Sequence, residues 1–408
     1  MNTLLTPLMI TQEALMILEN ELNAAKHFDR QYDDRFGVEG AKIGNILNLR
    51  KPPRFLTSLG QALQLEDATE TSVPLVLTQQ RQCAIAFTSQ ELGLQVDDFS
   101  KRFIRPQVAT MSNMIDYDAL GQYVNVYNEI GTPGTVPSTR LIYLQANQRL
   151  NEEAAPFKDR VNIMSPAQNT NLVDAQAGLF QASDKIREQY NSGRQGLGLG
   201  VDSMIDQNVR LQTVGKQGGS PVVNGSGQTG NSLITNGWTA NNAVLNLGDV
   251  ISIGTLTSGV LAVNPQNRQS TGALRQFVVT ANVTADGSGN ATIPISGPSG
   301  FGIVTAGPFQ TVTQSPTTGM VINVQGAAST SSLRGLMFVS DEAFAMGCAD
   351  LPLYGGVDIG ERVASKEIGM SIRMIRAYDI FEDRAPCRLD VLYGFVTKYP
   401  ELCVRIAN

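Results

Sequence analysis

Residues 248–296 read GDVISIGTLTSGVLAVNPQNRQSTGALRQFVVTANVTADGSGNATIPIS. Short runs of Val, Ile, Leu and Phe alternate there with Gly, Asn, Pro and Thr, which is typical of short strands joined by turns, and Asp286-Gly287 is a favoured hairpin turn. The stretch lies within a longer segment, 215–335, that is almost uncharged. Its charged residues are Lys216, Asp249, Arg268, Arg275, Asp286 and Arg334. Such a sharp change in composition indicates a separate β domain, a small barrel or sandwich, inserted into a host domain.

The charge of the chain argues against one class of function. The 408 residues carry a net charge of −6 at neutral pH, and a chain of this length holds about two or three domains. Outside the segment 215–335, 27 basic residues face 35 acidic ones. Tight binding to nucleic-acid phosphates needs clustered Lys and Arg, which such an acidic host does not supply.

The cysteines and the N-terminus indicate the compartment. Four scattered cysteines without a CxxC pair do not form a disulfide framework, so we expect reduced thiols in a cytosolic protein. The opening MNTLLTPLMI lacks the basic residues of a signal peptide. No apolar run approaches the roughly 20 residues that span a bilayer.

An amphipathic helix is predicted at residues 11–28, with Thr11 as its cap. Leu15, Leu18 and Leu22 share one face because they are spaced by three and four residues. This apolar face needs a cover, which either the host domain or a neighbouring subunit provides. A neighbouring subunit would make the three leucines part of an assembly interface.

Residues 34–80 change character. Pro52 and Pro53 exclude a helix, and the alternation around 73–77 is typical of strands. The segment is therefore interpreted as a projecting hairpin, with a meander on the host core as the alternative. Its charged residues are either a solvated face or a contact between identical subunits, in which basic side chains meet acidic ones. The basic candidates are Arg50, Lys51 and Arg54, and the acidic candidates are Glu66, Asp67 and Glu70.

Two further segments supply the expected core of the host. A long helix is predicted over 96–126, with a kink or break near Arg105 because Pro106 follows. Long strands are predicted at 371–381, 388–399 and 402–406. The candidate core residues are Phe99, Phe103, Met111 and Ile115 on the helix and Leu389, Val391, Tyr393 and Phe395 on one strand face.

Motifs for chemistry are scarce. The single histidine, His27, excludes an HExxH zinc site. The one GxGxxG match, Gly225 to Gly230, is followed by SLITNGWTAN, which is poor helix material, whereas a dinucleotide site needs a helix there. We therefore predict no catalytic residue, no cofactor and no metal site.

The order of these parts resembles the major capsid proteins of tailed phages with the Hong Kong 97-type fold. The closest resemblance is to the coat proteins of short-tailed phages of the P-twenty-two type. It is carried by GD.ISI, GVLAVNP and STG.LRQF within 248–277 and by NTNLVDAQAGLFQASDKIREQYNSG at 169–193. The resemblance implies an α+β fold of five parts. These are an N-terminal arm (1–33), an extended β-hairpin loop (34–80), a peripheral domain with a spine helix (81–129 and 369–408), an axial domain (130–214 and 336–368) and an inserted small β-barrel domain (215–335).

The resemblance also implies a function. Such a coat protein self-assembles as pentamers and hexamers into the icosahedral head of a tailed phage, which encloses double-stranded DNA. Because the chain begins with the arm, scaffolding is expected from a separate protein. The expected partners are further copies of the chain, that scaffolding protein, a portal protein and DNA held only non-specifically, with no membrane. Assembly would occur in the bacterial cytoplasm, and the product would be the virion capsid.

Two functions from other classes stay open at this point. The Gly-, Asn- and Thr-rich insert is also typical of a β-rich adhesin or fibre protein. The α/β pattern at 137–214 also fits a cytosolic enzyme with an accessory β domain.

Overall fold

The computed structural model describes residues 7–33, 46–57, 60, 65, 67–88, 104–175, 196–198, 200–365 and 369–408. Within them the chain is a mixed α+β protein with few helices and many strands. The helices are α1 Pro7–Glu21, α2 Arg105–Leu120, α3 Arg140–Glu152 and α4 Pro166–Asp174. The strands are β1 Asp29–Asp33, β2 Ile46–Lys51, β3 Thr71–Val76, β4 Gln79–Thr88, β5 Glu129–Ile130, β6 Arg160–Met164, β7 Gly196–Gly198, β8 Val201–Ile205, β9 Leu211–Thr213, β10 Gly219–Val223, β11 Ser232–Trp238, β12 Ala243–Leu245, β13 Val250–Ile253, β14 Leu261–Val263, β15 Ser270–Leu274, β16 Gln276–Val279, β17 Val283–Thr284, β18 Ala291–Ser296, β19 Ile322–Val324, β20 Ser331–Val339, β21 Phe344–Ala349, β22 Ile359–Ser365, β23 Met370–Arg376, β24 Arg384–Thr397 and β25 Cys403–Ala407.

The chain divides into two compact units, each built from three stretches of sequence. Unit 1 comprises Met1–Arg50, Ser72–Ala119 and Phe344–Val396. Unit 2 comprises Lys51–Thr71, Leu120–Ala343 and Thr397–Asn408. Both units therefore depend on contacts between residues that are far apart in the sequence.

Unit 1 is organised by a six-stranded sheet of order β1-β21-β24-β23-β22, with β4 also paired to β24. The strands β22, β23, β24 and β4 pair antiparallel, and β1 pairs parallel with β21. The strands predicted at 371–381 and 388–399 correspond to β23 and β24, but β23 ends at Arg376, and β24 begins earlier than predicted, at Arg384. Residues 377–381, predicted as strand, lie in the turn between them. β2 and β3 form a separate two-stranded sheet, and Leu47, Leu49 and Leu75 on it pack against Ala349, Leu392 and Val396 of unit 1. The paired strands are as expected, and the projecting loop over 34–80 stays a prediction.

The N-terminal helix begins and ends earlier than predicted. α1 runs from Pro7 to Glu21, and Thr11 lies buried inside it instead of capping its start. The early end has a physical cause on α2. The Asp116 carboxylate accepts the backbone N–H groups of Asn23, Ala24 and Ala25 at 2.7, 3.1 and 2.8 Å, which a longer helix would have bonded to its own carbonyls. The chain continues as a short 3-10 helix, Ala25–His27.

The helix predicted over 96–126 is described only from its second half. α2 begins at Arg105, and Pro106 is tolerated because the first helical turn needs no internal N–H bond. A 3-10 helix, Gly121–Asn125, follows it. The buried residues of α2 repeat at the spacing of one helix face; they are Val108, Met111, Ser112, Ile115, Asp116 and Ala119.

Unit 2 contains a mixed sheet of order β5-β25-β20-β6-β8-β7, with β9 paired to β20. The predicted strand 160–164 is confirmed as β6, which is buried along its whole length. Ser165 then caps α4: its hydroxyl accepts the N–H of Gln168, and the Gln168 side chain accepts the N–H of Ser165. On α3, Tyr143, Ala146 and Leu150 form the buried face.

The insert is a closed barrel with its own core. Six strands pair in the order β10-β11-β18-β16-β13-β19. A bridge between Val222 and Val321 joins the two ends, supported by the N–H of Val223 donating to the carbonyl of Met320 at 2.8 Å. The buried cluster inside it runs from Val223 to Ile322 in sequence and contains no residue of the host. The predicted small barrel is therefore confirmed. The sequence had not indicated β10, β11 and β15.

Replacing Asp116 by Ala should lower the free energy of unfolding by about 3 to 5 kcal/mol, because three backbone donors would lose a charged acceptor. Chemical denaturation and limited proteolysis of the N-terminal helix would measure this loss. The matched control is Thr110→Ala on the same helix, whose exposed hydroxyl donates to the carbonyl of Pro106; it should cost within about 0.5 kcal/mol. Equal stability of the two variants would contradict the role given to Asp116.

Candidate assembly surfaces

The described residues supply little for catalysis. His27 lies at the end of the 3-10 helix after α1, and within the described ranges no group of three His, Cys, Asp or Glu side chains is placed to hold a metal ion. Burial raises the pKa of the Cys348 thiol to about 12 and also raises that of Cys403, so neither thiol is an active nucleophile at neutral pH. The glycines from Gly225 to Gly230 form a loop between β10 and β11, and the strand after them takes the place of the helix that a dinucleotide site requires.

The N-terminal leucines are not exposed. Leu15, Leu18 and Leu22 are each 3% exposed or less, and α1 packs on β22 and β23 of the same unit. The prediction that a sister subunit covers these residues is therefore wrong. Periodicity identifies a face that must be buried, but it does not identify which part of the protein buries it.

Two of the three predicted basic contacts also lie against their own chain. Lys51 is buried with its ammonium 5.1 Å from the centre of the Tyr399 ring. Burial lowers its pKa, and the nearby Glu401 carboxylate opposes that shift. Arg54 forms an ion pair with Glu401 at 2.6 Å. These contacts hold both cations within unit 2, and their contact with a neighbour's acidic residues stays a prediction.

The remaining predicted contact residues are exposed where they are described. Arg50 on β2 and Asp67 and Glu70 before β3 face solvent, and their role in a contact between subunits stays a prediction. Glu66 lies outside the described residues.

The candidate core residues lie in unit 1. Met111 and Ile115 on α2 and Leu389, Val391 and Tyr393 on β24 are buried. Phe395 is half-buried, with its ring centre 5.6 Å from that of Phe28. Phe99 and Phe103 lie outside the described residues.

The most exposed apolar surface of unit 1 is one that sequence reasoning missed. The turn between β23 and β24, residues 377–383, is called the tip here. Tyr378, Ile380 and Phe381 in the tip are 53%, 71% and 93% exposed. Turns between strands are normally polar, so the three apolar side chains in AYDIFED were the available signal. A compact group of this kind commonly marks a protein contact.

Unit 2 presents a groove of about 770 Å³. The insert loop 264–268 forms one side, and residues 52–55 with 398–402 form the other. Its apolar lining is Pro52, Phe55, Ala154, Pro156, Pro265 and Leu402, and its charged lining is Arg54, Glu153, Arg268, Glu342, Lys398 and Glu401. Its size is in the range of pockets that bury a whole ligand, so it can receive several side chains.

Buried charges fix the insert to the host within unit 2. Arg275 of the insert forms an ion pair with Glu153 after α3, and both are almost fully buried. The Arg275 guanidinium also donates to the carbonyls of Thr311 and Val263, each at 3.0 Å. Burial raises the pKa of the Glu153 carboxyl, and the adjacent Arg275 guanidinium opposes that rise.

A second buried cluster joins the two where the chain enters the insert. The Asp249 carboxylate accepts the N–H of Gly215 at 2.9 Å and the amide of Gln212 at 3.1 Å. Arg405 on β25 donates to the carbonyl of Gly248 at 2.7 Å and pairs with Glu129 at 3.1 Å. These contacts make the insert and its host sheet one connected structure.

A match to a protein family assigns the chain to the capsid class. A family model described as "P22 coat protein - gene protein 5" matches residues 141–406. That span is well over half of the chain and includes the whole insert. The chain therefore belongs to this coat protein family, which rules out the adhesin and fibre alternative.

Several solved structures align with most of this chain at a low sequence identity. A structure titled Mycobacterium phage Che8 is 10% identical, with 95% of this chain and 90% of that chain covered and a TM-score of 0.45. The capsid of the cyanophage P-SCSP1u is 9% identical, with 95% and 88% covered and a TM-score of 0.46. A virus-like particle from Pyrococcus furiosus is 7% identical, with 97% and 98% covered and a TM-score of 0.42. No curated protein matches the sequence.

Family membership confirms the resemblance seen in the sequence. The protein is a major capsid protein with the Hong Kong 97-type fold, it forms the head of a tailed phage as a self-assembling shell, and its location is the virion capsid. None of the helices in the described part of the chain is long and apolar enough to cross a membrane.

Replacing Arg275 by Ala should destabilise unit 2 by about 3 to 5 kcal/mol, because the Glu153 carboxylate would remain buried without its cation. Replacing both partners, as in Glu153→Leu with Arg275→Met, should restore part of the loss. Denaturant unfolding of the unchanged protein, Glu153→Leu, Arg275→Met and the double variant measures this coupling.

The control for this cycle is Arg149→Ala, whose ion pair with Glu152 lies nearer the surface of the same region at 3.1 Å. It should cost about 0.5 kcal/mol. Additive losses in the double variant would show that Arg275 and Glu153 do not act as a pair.

Proposed function

We propose that this coat protein builds its shell from pentamers and hexamers with the help of a separate scaffolding protein, and that a portal protein completes the head. The subunit acts structurally and catalyses no reaction. The observation that carries the proposal is the exposed tip. An apolar group exposed to water on a folded unit has a higher free energy than the same group covered by another surface, so association that covers it is favourable. A subunit built this way is completed by association.

The charge of the chain bears on what the shell encloses. With a net charge of −6, the subunit does not form the dense phosphate contacts of a sequence-specific DNA-binding protein. We propose that the shell encloses double-stranded DNA and contacts it only non-specifically.

The domain roles follow the same proposal. Residues 130–214 and 336–368 would surround the capsomer axes, 81–129 and 369–408 would form the periphery, and 215–335 would lie on the outer surface. The closed barrel of the insert leaves few free strand edges, which suits a domain that faces solvent without aggregating.

Expression of the chain with the scaffolding protein of its own phage tests the proposal. Negative-stain electron microscopy of the purified product should show uniform closed shells, and expression without the scaffolding protein should give irregular particles. If shells formed without the scaffolding protein were equally uniform, assembly would not require that partner. Soluble monomers in both cases would contradict assembly itself.

Deleting residues 60–70 should leave a folded monomer and impair shell formation. The described residues of this stretch, including Leu65, Asp67 and Glu70, are exposed, so the subunit loses little packing when they are removed. Thermal unfolding of the monomer checks the fold, and the yield of sedimenting particles checks assembly. Normal shells from the deletion would show that this loop is not a contact.

A further inference from the structure

The tip at 377–383 is a preorganised structure. The N–H of Asp379 donates to the carbonyl of Arg384 at 2.8 Å, and the Phe381 N–H donates to the Asp379 carboxylate at 3.1 Å. The Tyr378 hydroxyl donates to Asp383 at 2.8 Å, and Arg384 pairs with Glu382 at 2.7 Å. Its turn is fixed, although Phe381 is 93% exposed. A rigid exposed aromatic residue binds with little entropic cost, which is typical of an energetically dominant contact.

The groove of unit 2 is preorganised as well. On the insert side, Asn264 accepts the N–H groups of Gln266 and Asn267 at 2.9 and 3.2 Å and donates to the carbonyl of Glu152 at 2.8 Å. On the other side, Arg54 is anchored by Glu401, which also accepts the N–H of Ser299 at 2.9 Å. Both walls are therefore held in place before any partner arrives. Phe55, which belongs to the second wall, is 60% exposed.

The charges of the two surfaces are complementary. The tip carries Asp379, Glu382 and Asp383, and the adjoining Arg384 pairs with Asp379 at 3.4 Å and Glu382 at 2.7 Å, so the net charge of the tip with Arg384 is negative. The groove carries Arg268 and Lys398 beside one exposed carboxylate, Glu342. Its other two carboxylates, Glu153 and Glu401, are buried and paired with arginines. An acidic tip with an aromatic end therefore fits a groove that has apolar walls and two half-buried cations, Arg268 and Lys398.

We infer that the tip of one subunit inserts into the groove of a second copy of the chain, with Phe381 among the prolines and Phe55, and the tip carboxylates near Arg268 and Lys398. This contact joins different surfaces of identical subunits, which is the heterologous kind that forms closed rings and shells. The inference rests on the proposed assembly of the subunit and names one of its contacts.

Cysteine cross-linking in assembled shells tests the contact. In a Cys83→Ser, Cys387→Ser background, which removes the two partly exposed thiols, Phe381→Cys is combined with Gln266→Cys at the exposed edge of the groove. Shells treated with a short bismaleimide should give a ladder of dimers, trimers and larger species on denaturing gels. The matched control combines Phe381→Cys with Leu256→Cys, an exposed insert residue outside the groove lining, and should give no ladder.

The outcomes separate the contact from assembly. Uniform shells without a ladder would overturn the contact and leave the proposed function intact. Dimers from Phe381→Cys alone would show that tips meet tips, which also overturns it. If the background protein forms no shells with its scaffolding protein, the proposed function fails, and the inference fails with it.

A charge exchange gives a second, independent readout. Arg268→Glu should lower the initial rate of assembly by about fivefold, and adding Glu382→Arg in the same chain should recover most of the rate, because every contact then contains both changes. Glu361→Arg, at a site on β22 away from the tip, serves as the control for the second change and should give no recovery. Recovery by Glu361→Arg as large as that by Glu382→Arg would overturn the pairing.

Discussion

The ion pair between Arg275 and Glu153 is the interaction on which the architecture of unit 2 depends. A barrel with its own core could be joined to its host by two flexible strands of chain, and it would then move independently. Here a guanidinium and a carboxylate, both buried, lie across the junction. Separating them would leave two charges without partners in a low-dielectric environment. The insert is therefore held at a fixed position on the host, as a shell subunit with repeated contacts requires.

In two places, charged and apolar side chains lie opposite to where they usually lie in a folded protein, with charges buried and apolar groups exposed. The low charge of the insert first indicated a separate domain, and the few charges it has are informative. Asp249 and Arg275 are buried, where they hold the insert to the host, while much of the barrel surface carries neutral polar residues. At the tip, by contrast, Ile380 and Phe381 are exposed. Charges lie inside where rigidity is required, and apolar groups lie outside where a partner is required.

Local pattern determined what the sequence could predict. The strands β6, β23 and β24 and the barrel strands β13, β16, β18 and β19 followed from alternation and from runs of β-branched residues, since these signals depend on neighbours in the chain. The cap that Asp116 provides to residues 23–25 joins positions more than 90 residues apart, and no periodicity encodes it. The same limit explains Leu15, Leu18 and Leu22. Their spacing showed that the face is buried, but the strands that cover it, β22 and β23, lie over 300 residues later.

The contrast between the leucines and the tip separates folding from assembly. If a neighbouring subunit were needed to cover the N-terminal leucines, each free subunit would expose a long apolar stripe and aggregate before it could assemble correctly. Because unit 1 covers that stripe itself, the free subunit is protected, and in the described part of unit 1 small surfaces such as the tip remain for association. Each such contact is weak, so an incorrectly placed subunit can dissociate. Many contacts per subunit then make the closed shell stable through multivalency. An assembly that must close without defects therefore favours a self-sufficient core with a few small, rigid contacts over long unpaired faces.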